Sequence, residues 1–200
     1  MPKVVDAGLR RSEFVDATWR VIRKEGLPAA TLRRVAAEAR CTTGALTHYF
    51  SNREALLVQA LRAAHFAAGA RMVAVARTVR DDLKRLETLV LEALPLDAVR
   101  MNEWKTHLTF WGEACDNEKL RSENARRFAE WGQLLGEYMA PLVPGEKARQ
   151  REAMLLMGVI DGLALRLVLQ ARRGSRIQTD ATEVAEAVRS HLRAVQARYG

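Results

Sequence analysis

Apolar residues recur along this chain at intervals of three and four, and β-branched alternation is nearly absent. The pattern predicts helices throughout and an all-α fold of about nine helices. A first helix is expected over about residues 10–25, with Phe14, Thr18, Val21 and Ile22 at i, i+4, i+7 and i+8. Gly26 stops it, and Leu27-Pro28 follows as a linker. Thr31 caps a second helix whose inward face is Leu32, Val35, Ala36 and Ala39. A short third helix covers about 42–48. Ser51-Asn52-Arg53-Glu54 reads as a capping box, with Glu54 reaching back to the Ser51 amide. It opens a fourth helix that runs to about 78. Five more are expected at about 81–93, 97–115, 118–140, 146–172 and 180–198. Arg172–Arg176 is the loop between the last two.

Composition narrows the class. The 200 residues are 48% hydrophobic and 28% charged, a globular balance. The two cysteines, Cys41 and Cys115, form neither a CxxC pair nor a ligand cluster, so no metal site or disulfide framework is expected. The uncharged apolar runs are far too short for a membrane span. The opening MPKVVDAGLRRSEF lacks the apolar core of a secretory signal, and a cytoplasmic setting is expected. The net charge of +8 is uneven: residues 1–55 and 141–200 each hold ten Lys/Arg against six Asp/Glu, while the middle is balanced. Positive ends suit a polyanionic partner such as nucleic acid.

Residues 31–53, TLRRVAAEARCTTGALTHYFSNR, carry the most chemistry. Two short helices flank a tight turn, with the small Ala36 and Ala37 where they cross, which is the layout of a helix-turn-helix. Thr42 or Thr43 can cap the second of the two, and Leu46 and Phe50 face the core. Thr43, Gly44, Ala45 and Thr47 lie opposite, small enough for the backbone to enter a major groove about 12 Å wide. His48, Tyr49 and Arg53 are donors of the kind that suit phosphate oxygens. Short amphipathic helices with a polar turn also occur in helical proteins that bind no DNA.

The run from Thr31 to Leu57 resembles the N-terminal DNA-binding domain of the TetR family of bacterial transcriptional regulators, and the resemblance covers about residues 10–60. Arg40 stands where that family usually has glycine, Thr47 replaces a usual aromatic, and Arg53 replaces a usual lysine. If the backbone at Arg40 is left-handed, it costs about 1–2 kcal/mol. The resemblance implies that Thr43, Gly44, Ala45 and Thr47 approach base edges. It implies that Thr42, His48, Tyr49 and Arg53 bind phosphates. Thr31 and Arg33, with Arg10, Arg11 and Arg34, become candidate backbone contacts. It also implies a helix-turn-helix domain at 1–54 and a helical effector-binding and dimerisation domain at 55–200. The fourth helix would serve as the lever between them.

The second half adds an aromatic concentration: Trp104, Phe110, Trp111, Phe128, Trp131 and Tyr138, with His107 and Asp161 among the polar residues near them in sequence. Facing aromatics with a few polar groups suit a ligand cavity, and they equally suit an ordinary core. The segments FWGEA (110–114), DNEKLR (116–121) and IDGLALR (160–166) resemble the branch of the family that includes choline-sensing repressors of betaine synthesis. A quaternary ammonium would be held by ring faces through cation–π attraction. Residues 154–169 are apolar nearly all round, which calls for burial on several sides, by the chain itself or by a second copy. The family resemblance favours a homodimer, with Met157, Ile160, Leu163, Leu167, Val188 and Leu192 as candidate interface residues in a four-helix bundle.

The expected function is therefore a ligand-responsive repressor that binds a near-palindromic double-stranded DNA operator as a homodimer and is released by a small-molecule effector. An architectural DNA-binding protein without an effector and a helical small-molecule enzyme are the rivals. GxSxG, GxGxxG, P-loop and HExxH motifs are missing, and His48, His65, His107 and His191 fall on different predicted helices. No catalytic residue and no cofactor is expected.

Overall fold

The computed structural model describes residues 7–170 and 177–199, with backbone only at 177–180. The Arg172–Arg176 loop lies outside the described residues. Among the described residues the chain forms α1 (Ala7–Glu25), a 3-10 turn (Leu27–Ala29), α2 (Leu32–Glu38), α3 (Thr43–Thr47), α4 (Arg53–Ala76), α5 (Asp82–Ala93), α6 (Ala98–Asp116), α7 (Glu118–Met139), α8 (Glu146–Gln170) and α9 (Ile177–Tyr199). No helix is long and apolar enough to cross a membrane among the described residues.

Local chemistry sets most boundaries. Gly26 ends α1 at φ +86°, a left-handed conformation that costs glycine nothing. Thr31, Thr42 and Asp81 cap α2, α3 and α5, their side chains accepting the N–H of Arg34, Ala45 and Lys84. One expectation fails. The Asn52 side chain, not Ser51, accepts the Ala55 N–H at 2.8 Å, so α4 starts one residue later than a Ser51 cap would place it. Glu54 does not turn back to Ser51; it meets Lys119 at 3.1 Å and Asn117 at 3.4 Å.

By packing, the chain divides into two compact units: Met1–Ala67 with Glu113–Glu123, and Ala68–Gly112 with Asn124–Gly200. The first unit is built around Phe14, Val21, Leu27, Val35, Leu46, Leu56, Leu57 and Leu61, all at most 1% exposed. Burial of each contributes about 1.5–3 kcal/mol. Thr18, buried with them, donates to the Phe14 carbonyl at 2.8 Å, which removes the cost of hiding a hydroxyl.

The second unit has its own core, drawn from α5 (Leu86, Leu89, Val90), α7 (Leu135, Met139), α8 (Leu156, Ile160, Ala164, Leu167) and α9 (Val184, Val188, Leu192, Val195). Several of the candidate interface residues lie in this core. Ile160, Leu167, Val188 and Leu192 are at most 5% exposed within a single chain, because they are the inward stripe of α8 and α9. Met157 and Leu163 are half-buried against the same core. The face of α8 that remains open is Met154, Leu155, Leu165 and Leu169, 40–73% exposed. Glu152, almost fully buried on α8, accepts from Arg198 and Tyr199 at 2.8 Å each and ties down the end of α9.

Candidate nucleic-acid interface and effector region

In the first unit, α3 is a short helix anchored by one side chain. Leu46 is wholly buried and Phe50, just beyond, is 2% exposed. Thr42, Thr43, Gly44, Ala45, Thr47 and His48 are all exposed. The two outer threonines are chemically distinct. Thr42 accepts from Ala45 N at 3.1 Å, which leaves its O–H free to donate outward. Thr47 spends its O–H on the Gly44 carbonyl at 3.0 Å, which leaves its lone pairs to accept. A donor suits a phosphate, and an acceptor suits the exocyclic amine of cytosine or adenine.

The turn before α3 is strained as anticipated: Arg40 has φ +55°, the one non-glycine residue in the left-handed region among those described. Cys41 N closes the turn on the Ala36 carbonyl at 2.9 Å. Tyr49 is half-buried, with its ring 5.4 Å from Phe14 and 5.5 Å from His48. Arg10 and Arg11 stack over Phe14 and Phe50. Arg33 and Thr31 are exposed. Arg34 is not free for DNA: it pairs with Glu25 at 2.6 Å and Glu38 at 3.1 Å. Hydrogen bonds from Lys24, Arg34 and Arg20 hold the Glu38 carboxyl below its ordinary range.

Arg53 departs from the sequence expectation. Its Nε donates to the Ala30 carbonyl at 3.2 Å, one terminal nitrogen donates to the Leu27 carbonyl at 3.0 Å, and the other meets Glu113 at 2.5 Å. The guanidinium is turned into the unit. Sequence reading missed these partners because the carboxylate lies sixty positions away along the chain.

In the second unit, three of the aromatics come together. Trp104 and Trp111 meet edge to face with ring centres 5.8 Å apart, and Trp111 and Phe128 are 5.7 Å apart. His107 lies edge-on to Trp104 at 5.9 Å. Trp104 is anchored by its Nε1, which donates to the Ala93 carbonyl at 2.6 Å. Phe110 is fully buried, and Trp131 and Tyr138 are half-buried against the hydrophobic core. A Cβ at Gly132 would lie 3.3 Å from the Met157 sulfur, so the Met157 side chain reaches from α8 to α7 there.

Two titratable groups in this region are displaced by burial. The His107 pKa falls to about 4, from burial and from the nearby Arg127 charge, with Glu103 opposing. The Asp161 carboxyl is pushed up to about 6 by burial alone. An ion network also crosses the unit: Arg71 grips Glu103 with two hydrogen bonds of 2.7 and 2.9 Å, and Arg100 meets Glu92 and Asp97. Among the described residues no group of His, Cys, Asp and Glu could hold a metal ion.

Residues 14–60 match the family described as "Bacterial regulatory proteins, tetR family". Residues 82–197 match "BetI-type transcriptional repressor, C-terminal". The HTH-type transcriptional regulator BetI of Burkholderia ambifaria is 35% identical over 173 residues, covering 83% of this chain and 86% of that one. The HTH-type transcriptional regulator PksA of Bacillus subtilis is 30% identical over 177 residues, covering 86% and 85%. Among solved structures, a transcriptional regulator from Rhodococcus aligns with a TM-score of 0.76 at 25% identity, over 92% of this chain and 95% of that one. A transcriptional regulator from Saccharomonospora viridis, solved in complex with choline, has the same fold, with a TM-score of 0.74 at 24% identity over 90% and 96%.

Proposed function

This chain belongs to the TetR family of bacterial transcriptional regulators, with a BetI-type C-terminal domain, and from that premise we propose that it is a homodimeric repressor that leaves its operator when a small organic cation binds. The relatives are regulators rather than enzymes. The observation that carries the DNA reading is the outward face of α3 and its caps, where six of the seven positions from Thr42 to His48, all but Leu46, are exposed and small or polar. Thr43, Gly44, Ala45 and Thr47 would meet base edges, and Thr42, His48 and Tyr49 would meet phosphates, with Thr31 and Arg33 at the flank. Two such heads on one dimer would read half-sites about 34 Å apart, or a small multiple of it, on a near-palindromic duplex. The site of action is the cytoplasm, where the chromosome is.

The open face of α8 supports the dimer. Met154, Leu155, Leu165 and Leu169 are exposed together, and Gly158 and Gly162 between them have open space around them. On α9, Ala187, Ala194 and Ala197 are exposed and small enough for close helix approach.

The cationic effector is supported by the meeting of Trp104, Trp111 and Phe128, and by a carboxyl in the same unit, Asp161, that is partly withdrawn from water. Ring faces attract a cation by up to about 2 kcal/mol each when water is excluded. The choline found in the Saccharomonospora viridis regulator belongs to the same chemical class. About 2 kcal/mol of coupling between effector and DNA would weaken operator binding some thirtyfold. The test is a gel shift with DNA from upstream of the protein's own gene, with and without choline and related quaternary amines. Retardation relieved by such a cation is the expected result. Retardation that no cation relieves would favour the architectural reading, and cation binding without retardation would favour a carrier or enzyme.

A further inference from the structure

We propose that Arg53 is a positioning residue: its ion pair with Glu113 fixes the corner from which α2 and α3 hang, and it acts on DNA affinity through that corner rather than by touching a phosphate. Arg53 is the first residue of α4, where a cation meets the positive end of the helix. Two carbonyls and a carboxylate offset that. The carbonyls belong to Leu27 and Ala30, which bracket the 3-10 turn, and Ala30 immediately precedes the Thr31 cap of α2. One planar fork thus spans the turn, the start of α4 and the end of α6. Glu113 lies within the same compact unit as the turn.

Both terminal nitrogens are already engaged, one of them with a carboxylate at 2.5 Å. Bidentate capture of a phosphate would break that pair and strip the Leu27 carbonyl of its partner. Arg53 and Glu113 are only 29% and 27% exposed as side chains, so the pair is partly shielded from water and salt. Two further ionic contacts hold the same segment to α4: Lys119 to Glu54 at 3.1 Å, and Arg62 to the buried Glu123 at 2.8 Å. Arg53 differs from them in reaching past α4 to the turn.

The affinity arm of the test rests on the DNA-binding reading; the exchange arm does not. The full chain is compared with Glu113→Gln, Arg53→Gln, Arg53→Lys and the double variant Arg53→Gln/Glu113→Gln. Each is titrated with a random-sequence duplex and with DNA from upstream of the gene, over a series of salt concentrations. Glu113→Gln is expected to weaken binding about tenfold, the worth of one charge-assisted hydrogen bond, with the salt slope unchanged. The double variant should be no weaker than Arg53→Gln alone, and Arg53→Lys should not restore affinity, because an ammonium cannot span three acceptors. A phosphate role predicts the reverse: Arg53→Gln lowers the slope by about 0.9, Arg53→Lys restores binding, and Glu113→Gln binds as tightly or more tightly. That pattern overturns the proposal.

Hydrogen exchange provides the DNA-free arm. The Ala30 N–H donates to the Leu27 carbonyl at 3.1 Å, the same oxygen that Arg53 holds. Exchange at Ala30 and Thr31 should speed up about tenfold in Glu113→Gln while the middle of α1 is unaltered. Unchanged exchange at both amides overturns the proposal. If Arg53→Gln does not fold, Glu113→Gln alone decides. If the wild-type chain binds no DNA, the proposed function fails and exchange still judges the corner.

Discussion

Thr42 and Thr47 lie at the two ends of α3 with opposite hydrogen-bonding vacancies: Thr42 has its oxygen taken by Ala45 N, and Thr47 has its proton taken by the Gly44 carbonyl. Their substitutions should therefore fail differently. Thr42→Ala removes a helix cap, so it should cost about 1 kcal/mol of stability and weaken binding to every duplex alike. Thr47→Ala should leave stability unchanged and alter which base is preferred, as should Thr43→Ala. Selection from randomised duplexes reads this directly. A uniform loss at Thr47 would make it a positioning residue instead.

Arg40 carries backbone strain at φ +55°. Arg40→Gly relieves about 1–2 kcal/mol of native-state strain and gives back part of it through the looser unfolded chain. Its melting temperature should equal or slightly exceed that of the wild type. Arg40→Val should be destabilised by 1 kcal/mol or more, roughly, since a β-branched side chain fits that region worst. Equal melting temperatures for the two variants would show that the turn relaxes.

Asp161 and His107 give opposed pH dependences. The folded pKa of Asp161 is raised, from 3.8 to about 6, so the native state holds that proton more tightly and stability falls as pH rises through this window. The folded pKa of His107 is lowered, from 6.5 to about 4, so the unfolded state holds the proton and stability rises over pH 4 to 6.5. Each slope reaches at most about 1.4 kcal/mol per pH unit, and they largely cancel in the wild type. Asp161→Asn should expose the rising slope and His107→Gln the falling one, read as urea midpoints from pH 4.5 to 7. Parallel profiles for the two variants would contradict the assignment.

The helix α8 separates two kinds of leucine. Leu165→Glu or Leu169→Glu should yield a folded monomer with poor operator affinity, since both side chains are exposed in one chain. Leu167→Glu should fail to fold, because it places a charge in the core at 5% exposure. Sedimentation with circular dichroism distinguishes them. Persistent dimers in both exposed-site variants would place the interface elsewhere.

Features written in adjacent residues were legible in the sequence. Periodicity located the helices, glycine marked the end of α1, and threonines marked the starts of α2 and α3. The α4 cap was not legible at single-residue precision, because Ser51 and Asn52 are both good caps and only tertiary contacts decided between them. Glu54 would have completed the box, but Lys119 and Asn117 draw it away. The burial of the interface candidates was not legible for a related reason. A helix apolar on every side does not say which side its own chain covers, and here the intrachain core claims Ile160 and Leu167. Trp104, Trp111 and Phe128 could be listed from composition, yet their meeting depends on how α6 and α7 pack.

The unit that contains α3 also contains Glu113–Glu123, far downstream in the chain. Hybrid regulators are commonly imagined as a single splice, with one protein's front end joined to another's body. A splice within α4 beyond Arg62 would import Arg53, Glu54 and Arg62 while discarding Glu113, Asn117, Lys119 and Glu123, the downstream groups they meet. A working transplant from this protein has to carry both stretches, or rebuild the second in its new host.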